Sequence, residues 1–322
     1  MPDASQTVYL NGEFMPIADA KIPVLDRGFI FGDGVYEVVP VYAKQPFRMP
    51  QHLARLQHSL DGIHLANPHP LADWQKLITD LVARQSFADQ AVYIQVTRGV
   101  AKRDHAFPQG VAPTVFMMSN PLVLPTPEQV EHGVDVITAQ DNRWLRCDLK
   151  TTSLLGNVLM RQLAVDHGAV ETVLFRDGHL TEASASNVLI VHNGAVVAPP
   201  KDNLILPGIT YDATLELARD IGIPVDVRPV AHAEVLAADE VWLSSSSKEV
   251  LAVTRIDGKP VGGGRPGPLF RKMWQAFQER KPRAGPGAVS VPLREEATSF
   301  RSGRDGTPAP GRASARRSRP RR

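Results

Sequence analysis

A mixed α/β (α+β) fold in two unequal halves is what this 322-residue chain predicts. Short β-rich runs alternate with segments whose apolar residues recur at helical spacing. A stretch marked by Pro121, Pro125 and Pro127 interrupts that alternation, as a connection between domains does. The length suits two domains or one large one. We expect an N-terminal α/β domain over 1–119, a connection over 120–130, a larger C-terminal domain over 131–281 and a disordered basic tail over 282–322.

In the first half, Val8–Leu10 and Glu13–Pro16 flank Asn11-Gly12. That pair tolerates positive φ at both positions, which makes it the strongest short hairpin signal. Val35–Tyr42 is apolar and β-branched and reads as a buried strand. His52–Leu60 places Leu53, Leu56 and Leu60 on one helical face. Leu71–Ala88 repeats the pattern with Trp74, Leu77, Ile78, Leu81 and Val82. Val92–Thr97 and Thr114–Met118 are strands. In the second half, Val134–Thr138 is a strand and Leu154–His167 a helix. Turns at Arg176–His179 and His192–Gly194 join strand pairs. Thr210–Ile221 is a helix stopped by Gly222, where a left-handed cap suits glycine. Glu240–Ser244 is a strand and Leu269–Arg280 a closing helix.

Composition narrows the setting. No apolar run of about 18 residues is present, so no membrane span or membrane partner is expected. The start carries no basic segment followed by an apolar one, so no secretory signal is expected. The single Cys147 cannot form an internal disulfide, which fits a reducing cytoplasm. The net charge of +2 hides an asymmetry: Arg283–Arg322 holds ten arginines against three acids, so the rest is mildly acidic. From about Lys281 the chain lacks apolar periodicity and buries too little to offset ordering entropy. Its arginines leave a small opening for nucleic acid, which is otherwise not expected as a partner. No metal site is expected.

Lys150 carries the chemistry. It closes the stretch Arg143-Trp144-Leu145-Arg146-Cys147-Asp148-Leu149-Lys150 at a strand-like end. A lysine so placed can be held in a pocket, and Schiff-base chemistry relies on desolvated amines. Further on, Leu180-Thr181-Glu182-Ala183-Ser184-Ala185-Ser186-Asn187 sets an acid among small hydroxyl residues. Pro207-Gly208-Ile209-Thr210 opens a helix whose backbone amides can meet an anion. Ser244–Ser247 offers more hydroxyls, and Arg55 lies on a helix from which a guanidinium can grip two phosphate oxygens. A reactive amine, a buried carboxylate and an anion cradle are what a pyridoxal phosphate enzyme requires.

Four stretches in order resemble one family: Asp26–Glu37 (DRGFIFGDGVYE), Val96–Gly99 running on to Arg103-Asp104-His105, the Lys150 segment and the Glu182 segment. The chain resembles the class IV, fold-type-IV pyridoxal phosphate aminotransferases, and within them the D-amino acid enzymes, from about Val8 to about Glu279. The resemblance implies a C-terminal domain with a β-barrel-like sheet core and pyridoxal 5'-phosphate as cofactor. It implies Lys150 as Schiff-base lysine and proton shuttle, with Glu182 against the pyridine nitrogen. It assigns the phosphate to Arg55 and Ser246 and the ring face to Leu206, and the helix start with the Ile209 and Thr210 amides and the Thr210 hydroxyl can meet the same phosphate. Tyr36, Arg103 and His105 resemble the family's substrate-carboxylate residues. In the family the loop bearing Arg103 and His105 reaches the neighbouring subunit, which implies a homodimer with a shared active site.

The implied reaction takes D-alanine and 2-oxoglutarate to pyruvate and D-glutamate by ping-pong kinetics, with a D-amino acid and a 2-oxo acid as alternating substrates. A branched-chain L-amino acid aminotransferase, an (R)-amine transaminase and an aminodeoxychorismate lyase-like enzyme stand as alternatives. Two residues depart from the family pattern. Ser153 stands where asparagine is frequent, and Ala185 interrupts a run of serines.

Overall fold

The computed structural model describes residues 6–283. The basic tail therefore lies outside the described residues, save Pro282 and Arg283. The first half runs β1 (Thr7–Leu10), β2 (Glu13–Pro16), α1 (Arg27–Phe31), β3 (Gly34–Tyr42), β4 (Gln45–Pro46), α2 (Met49–Gly62), α3 (Leu71–Arg84), β5 (Gln90–Thr97) and β6 (Thr114–Pro121). Its strands make a six-stranded sheet in the order β2-β1-β6-β5-β3-β4. The hairpin turns at Asn11 (φ 49°) and Gly12 (φ 107°), the positive-φ pair that the Asn-Gly sequence suits. β3 pairs with β5 along nearly its whole length, from Gly34 opposite Thr97 to Val41 opposite Gln90.

Period-two alternation turns Val35, Val39 and Val41 of β3 and Val92, Ile94 and Val96 of β5 into one core. Leu53, Leu56 and Leu60 of α2 and Trp74, Ile78 and Leu81 of α3 pack into the same core. Each fully buried aliphatic side chain contributes roughly 1.5–3 kcal/mol. The expected second helix stops early, because Gln85 takes extended backbone (φ −89°, ψ 153°). The five-residue α1 escapes sequence reading, being too short to show a period. It is fixed instead by its cap: the Asp26 carboxylate accepts from Gly28 N at 2.8 Å.

The second half runs α4 (Pro127–His132), β7 (Val134–Gln140), α5 (Leu155–Asp166), β8 (Glu171–Arg176), β9 (His179–Ala183), β10 (Asn187–His192), β11 (Ala195–Ala198), α6 (Ile209–Asp220), β12 (Val225–Val227), α7 (His232–Leu236), β13 (Glu240–Ser245), β14 (Glu249–Ile256), β15 (Lys259–Pro260) and α8 (Pro268–Arg280). The nine-stranded sheet has the order β12-β11-β10-β13-β14-β7-β8-β9, with β15 on the side of β14. It curls into a half-barrel. Val136, Val173, Leu180, Val188, Ile190 and Leu243 fill the concave side. The alternate residues Leu189, Val191 and Trp242 face outward, against Tyr211 and Leu215 of α6 and Phe270 and Phe277 of α8. Among the described residues no helix is long and apolar enough to cross a membrane.

Candidate active site

A cavity of about 480 Å³ lies between the two sheets, lined by Tyr36 and Arg55 from the first half and Lys150, Glu182, Thr210 and Ser246 from the second. Lys150 sits in a loop, not at the end of a strand as its sequence suggests. Its main chain is nonetheless held like one. The Lys150 carbonyl accepts from Tyr36 N at 2.9 Å and Thr152 N donates to Gly34 O at 2.9 Å. Thr151 forms an isolated bridge with Val35, and Lys150 N donates to Ser59 Oγ at 3.1 Å. The side chain points into the cavity, where Nζ donates to Tyr36 Oη at 3.2 Å.

Glu182 lies within β9, on the far side of the same cavity. Its Oε1 accepts from Arg143 Nη1 at 2.5 Å. Its Oε2 accepts from Leu206 N at 2.9 Å and Asn187 Nδ2 at 3.2 Å. Burial raises the Glu182 carboxyl above its ordinary range, against the opposing pull of Arg143, Leu206 N and Lys150. Arg143 is shared, because its Nε and Nη2 grip Asp141 at 3.0 and 2.9 Å. A buried carboxylate so incompletely compensated suits a further positive partner in the cavity.

Helix α6 begins at the cavity wall. Its N-cap Gly208 makes no side-chain cap bond, so the first-turn amides of Ile209 and Thr210 are not claimed by one. A β-carbon at Gly208 would collide with the Asn187 side chain, so glycine is required for this close approach. The serine run Ser244–Ser247 lines the same end. Arg55 stands there too, with its Nε and Nη2 on the Glu37 carboxylate at 2.7 and 2.9 Å and Nη1 on Pro207 O at 3.1 Å. These bonds hold the guanidinium rigidly at the cavity and still leave it N–H groups to donate. Uncapped helix amides, hydroxyls and a fixed guanidinium are the donor set a phosphate monoester needs. An amine and a buried acid elsewhere in the cavity complete a set that fits a phosphorylated, carbonyl-bearing pyridine.

Not every sequence candidate meets here. Arg103 and His105 are exposed and do not line this cavity. Leu206 and Ile209 do. Ser153 Oγ donates to Gly32 O at 3.0 Å. Around Ala185 the loop is bound through its backbone, with Ala185 N donating to Glu171 Oε2 at 2.7 Å. The hydroxyls of Ser184 and Ser186 donate to the same carboxylate, which Lys248 also pairs at 2.7 Å. Sequence reading passes over Glu37, Arg143, Glu171 and Asn187. Glu37 and Arg143 stand inside motifs already singled out, but nothing local tells a buried acid or arginine from an exposed one.

The family model for class IV amino-transferases matches residues 34–256, and the chain belongs to that family. Its curated relatives include a D-alanine aminotransferase of Bacillus licheniformis, 39% identical over 84% of this chain and 95% of that protein. A D-alanine aminotransferase of Staphylococcus aureus (strain COL) is 38% identical over 85% of this chain and 97% of that one. Among solved structures, the Escherichia coli branched-chain amino acid aminotransferase superposes with a TM-score of 0.82 at 26% identity, over 86% of this chain and 94% of its own. A branched-chain amino acid aminotransferase from the archaeon Thermoproteus uzoniensis gives 0.76 at 25% identity, over 85% and 94%. Another branched-chain enzyme, solved with pyridoxamine 5'-phosphate, gives 0.80 at 25% identity, over 85% and 93%. The fold is thus that of the fold-type-IV aminotransferases, and class IV enzymes use pyridoxal 5'-phosphate.

Proposed function

We propose that this aminotransferase acts on D-amino acids, taking D-alanine and 2-oxoglutarate to pyruvate and D-glutamate in two half-reactions at one site. The observation that carries this reading is the near-full-length likeness to D-alanine aminotransferases at 38–39% identity, above the 25–26% to the branched-chain structures. Residues 1–119 and 131–281 act as its two domains, joined through 120–130, and two copies form a cytoplasmic homodimer with shared sites.

Bound pyridoxal phosphate supplies an electron sink for the bonds at the substrate α-carbon. Lys150 holds the cofactor through Nζ. With its amine free, Lys150 would take the proton from the substrate α-carbon and in the reverse half-reaction return one there. The Tyr36 hydroxyl, 3.2 Å from Nζ, fixes where that amine points. Glu182 would hold the pyridine nitrogen of the cofactor and favour its protonated form, as its under-compensated burial suits. Arg55, the first amides of α6 with Thr210, and Ser246 would hold the phosphate, and Leu206 would support the ring. Tyr36, with Arg103 and His105 of the partner copy, takes the substrate carboxylate. Arginine suits that task because its fork matches two oxygens.

The test is spectroscopic. Purified holoenzyme challenged with D-alanine should lose the absorbance of its bound aldehyde cofactor, whereas L-leucine should leave it unchanged. Bleaching by L-leucine alone would overturn the substrate assignment in favour of the branched-chain reading.

A further inference from the structure

The segment that carries Arg103 and His105 is exposed, with no strand or helix of its own. Such a loop loses entropy whenever it must present two side chains together. Yet its main chain is fastened from below by a buried ion cluster. Arg27, only 4% exposed, directs Nε to Asp33 Oδ2 at 2.7 Å. Its Nη1 donates to Asp104 O at 2.5 Å and Ala106 O at 3.3 Å, the two carbonyls that flank His105. Arg98, also buried, grips Asp33 with bonds of 2.8 and 3.0 Å. Its guanidinium also lies 3.8 Å from the ring centroid of Phe107, two residues beyond His105.

The side chains have a seat as well. Phe31, at the end of α1, lies with its ring centroid 5.5 Å from that of His105 and 5.3 Å from the Arg103 guanidinium carbon. Arg27 approaches the same ring at 4.8 Å. One aromatic ring thus meets both candidate carboxylate-binding side chains and the cation that ties their backbone. Neither Arg27 nor Phe31 lines the cavity, so neither touches substrate there.

We propose that Arg27 and Phe31 are positioning residues for the substrate carboxylate: Arg27, clamped by Asp33, fixes the main chain around His105, and the Phe31 ring seats Arg103 and His105 side by side. Helix α1 is then the platform on which the specificity loop is preformed. The proposal rests on the reading that Arg103 and His105 bind the carboxylates of both substrates, and it adds the reason why an exposed loop holds them in one geometry.

The experiment uses the holoenzyme and the variants Arg27→Met, Arg27→Lys, Phe31→Leu and Arg103→Ala. Steady-state kinetics with D-alanine and 2-oxoglutarate are paired with limited trypsin digestion, following cleavage after Lys102 and Arg103 by mass. Arg27→Met and Phe31→Leu should raise KM for both acids by about tenfold while kcat stays within about threefold, since ordering of the bound carboxylate is what is lost. Loop cleavage in Arg27→Met should quicken by at least about tenfold, because local opening sets its rate. Arg27→Lys should recover only part of the KM, as a compact ammonium lacks the fork by which Nε meets Asp33 while Nη1 reaches the two carbonyls. Unchanged KM in folded Arg27→Met and Phe31→Leu overturns the proposal, and so does a fall in kcat alone. Should Arg27→Met fail to fold, Phe31→Leu decides by the same KM criterion. If Arg103→Ala leaves KM unchanged, the carboxylate reading fails by itself. Accelerated cleavage would then mark Arg27 as a holder of the loop alone, and its positioning role would fall as well.

Discussion

Two buried glutamates flank the active site from opposite halves, each bonded to an arginine that lines the cavity, and their protons are held in opposite ways. Burial pushes both carboxyls up. At Glu37 the bidentate Arg55 and the His52 ring more than reverse it, so the group stays well below the ordinary carboxylate range. At Glu182 burial wins, because Arg143 is divided between it and Asp141. His52 is itself pushed down by burial. It therefore meets the ionised Glu37 as a neutral ring donating its Nδ1–H, at 2.9 Å. The lesson is one of saturation. Glu37 is fully partnered and anchors Arg55, whereas Glu182 keeps unspent affinity for a cation.

The largest effect should come from the amine in the same cavity. Lys150→Ala should lower transamination by about 10⁴-fold or more, since it removes the amine proposed to hold the cofactor and move the α-proton. Single-turnover measurement of D-alanine consumption checks this, and near-normal turnover would end the assignment.

Next in size is the contrast between the acids. Glu37→Gln leaves Arg55 and its neighbours without their charge partner and should cost about 3–5 kcal/mol in denaturant melts. Glu182→Gln should cost the apoprotein little, because the charge removed there is poorly accommodated, while kcat falls about 10²–10³-fold. Equal melts for the two variants would erase the distinction.

Acid titration sharpens it further. The folded Glu37 proton affinity is depressed, so its stabilisation is present above the ordinary value of 4.5 and is lost as pH falls toward the lower folded value. The melting gap between wild type and Glu37→Gln should therefore shrink as pH falls from about 5 to about 3. Glu182 has the opposite sign. Its ionised form is disfavoured by folding, so wild type should gain on Glu182→Gln as pH falls from neutrality to the ordinary value of 4.5, and the gap should then stay level below it. The smallest effect concerns Cys147, which lines the cavity near Arg143. Burial pushes its thiol up to about 11, so alkylation of the folded protein should stay slow at neutral pH and accelerate only as pH approaches that value.

Much of the architecture is legible in the sequence because it rests on local signals. The Asn11-Gly12 hairpin, the leucines of α2 and the Gly222 stop each depend on residues a few positions apart. Strand β14 escapes such reading because its eight residues, nearly all buried, show no alternation between faces. At the site, Lys150, Glu182 and Arg55 follow from the family resemblance and line one cavity. Glu37, Arg143 and Glu171 do not, because their importance comes from partners 18, 39 and 13 residues away. Spacing alone cannot reveal that.

The backbone bonds at Lys150 have a last consequence. Through Tyr36 N, Gly34 O and Ser59 Oγ its main chain rides on the first half of the molecule, while Glu182 is built into the second sheet. The proposed base and its proposed electron-sink partner are thus mounted on separate frames, and the seam between those frames sets their spacing. A substitution anywhere along that seam, however far from the cavity, changes the reach of Lys150 Nζ toward Glu182.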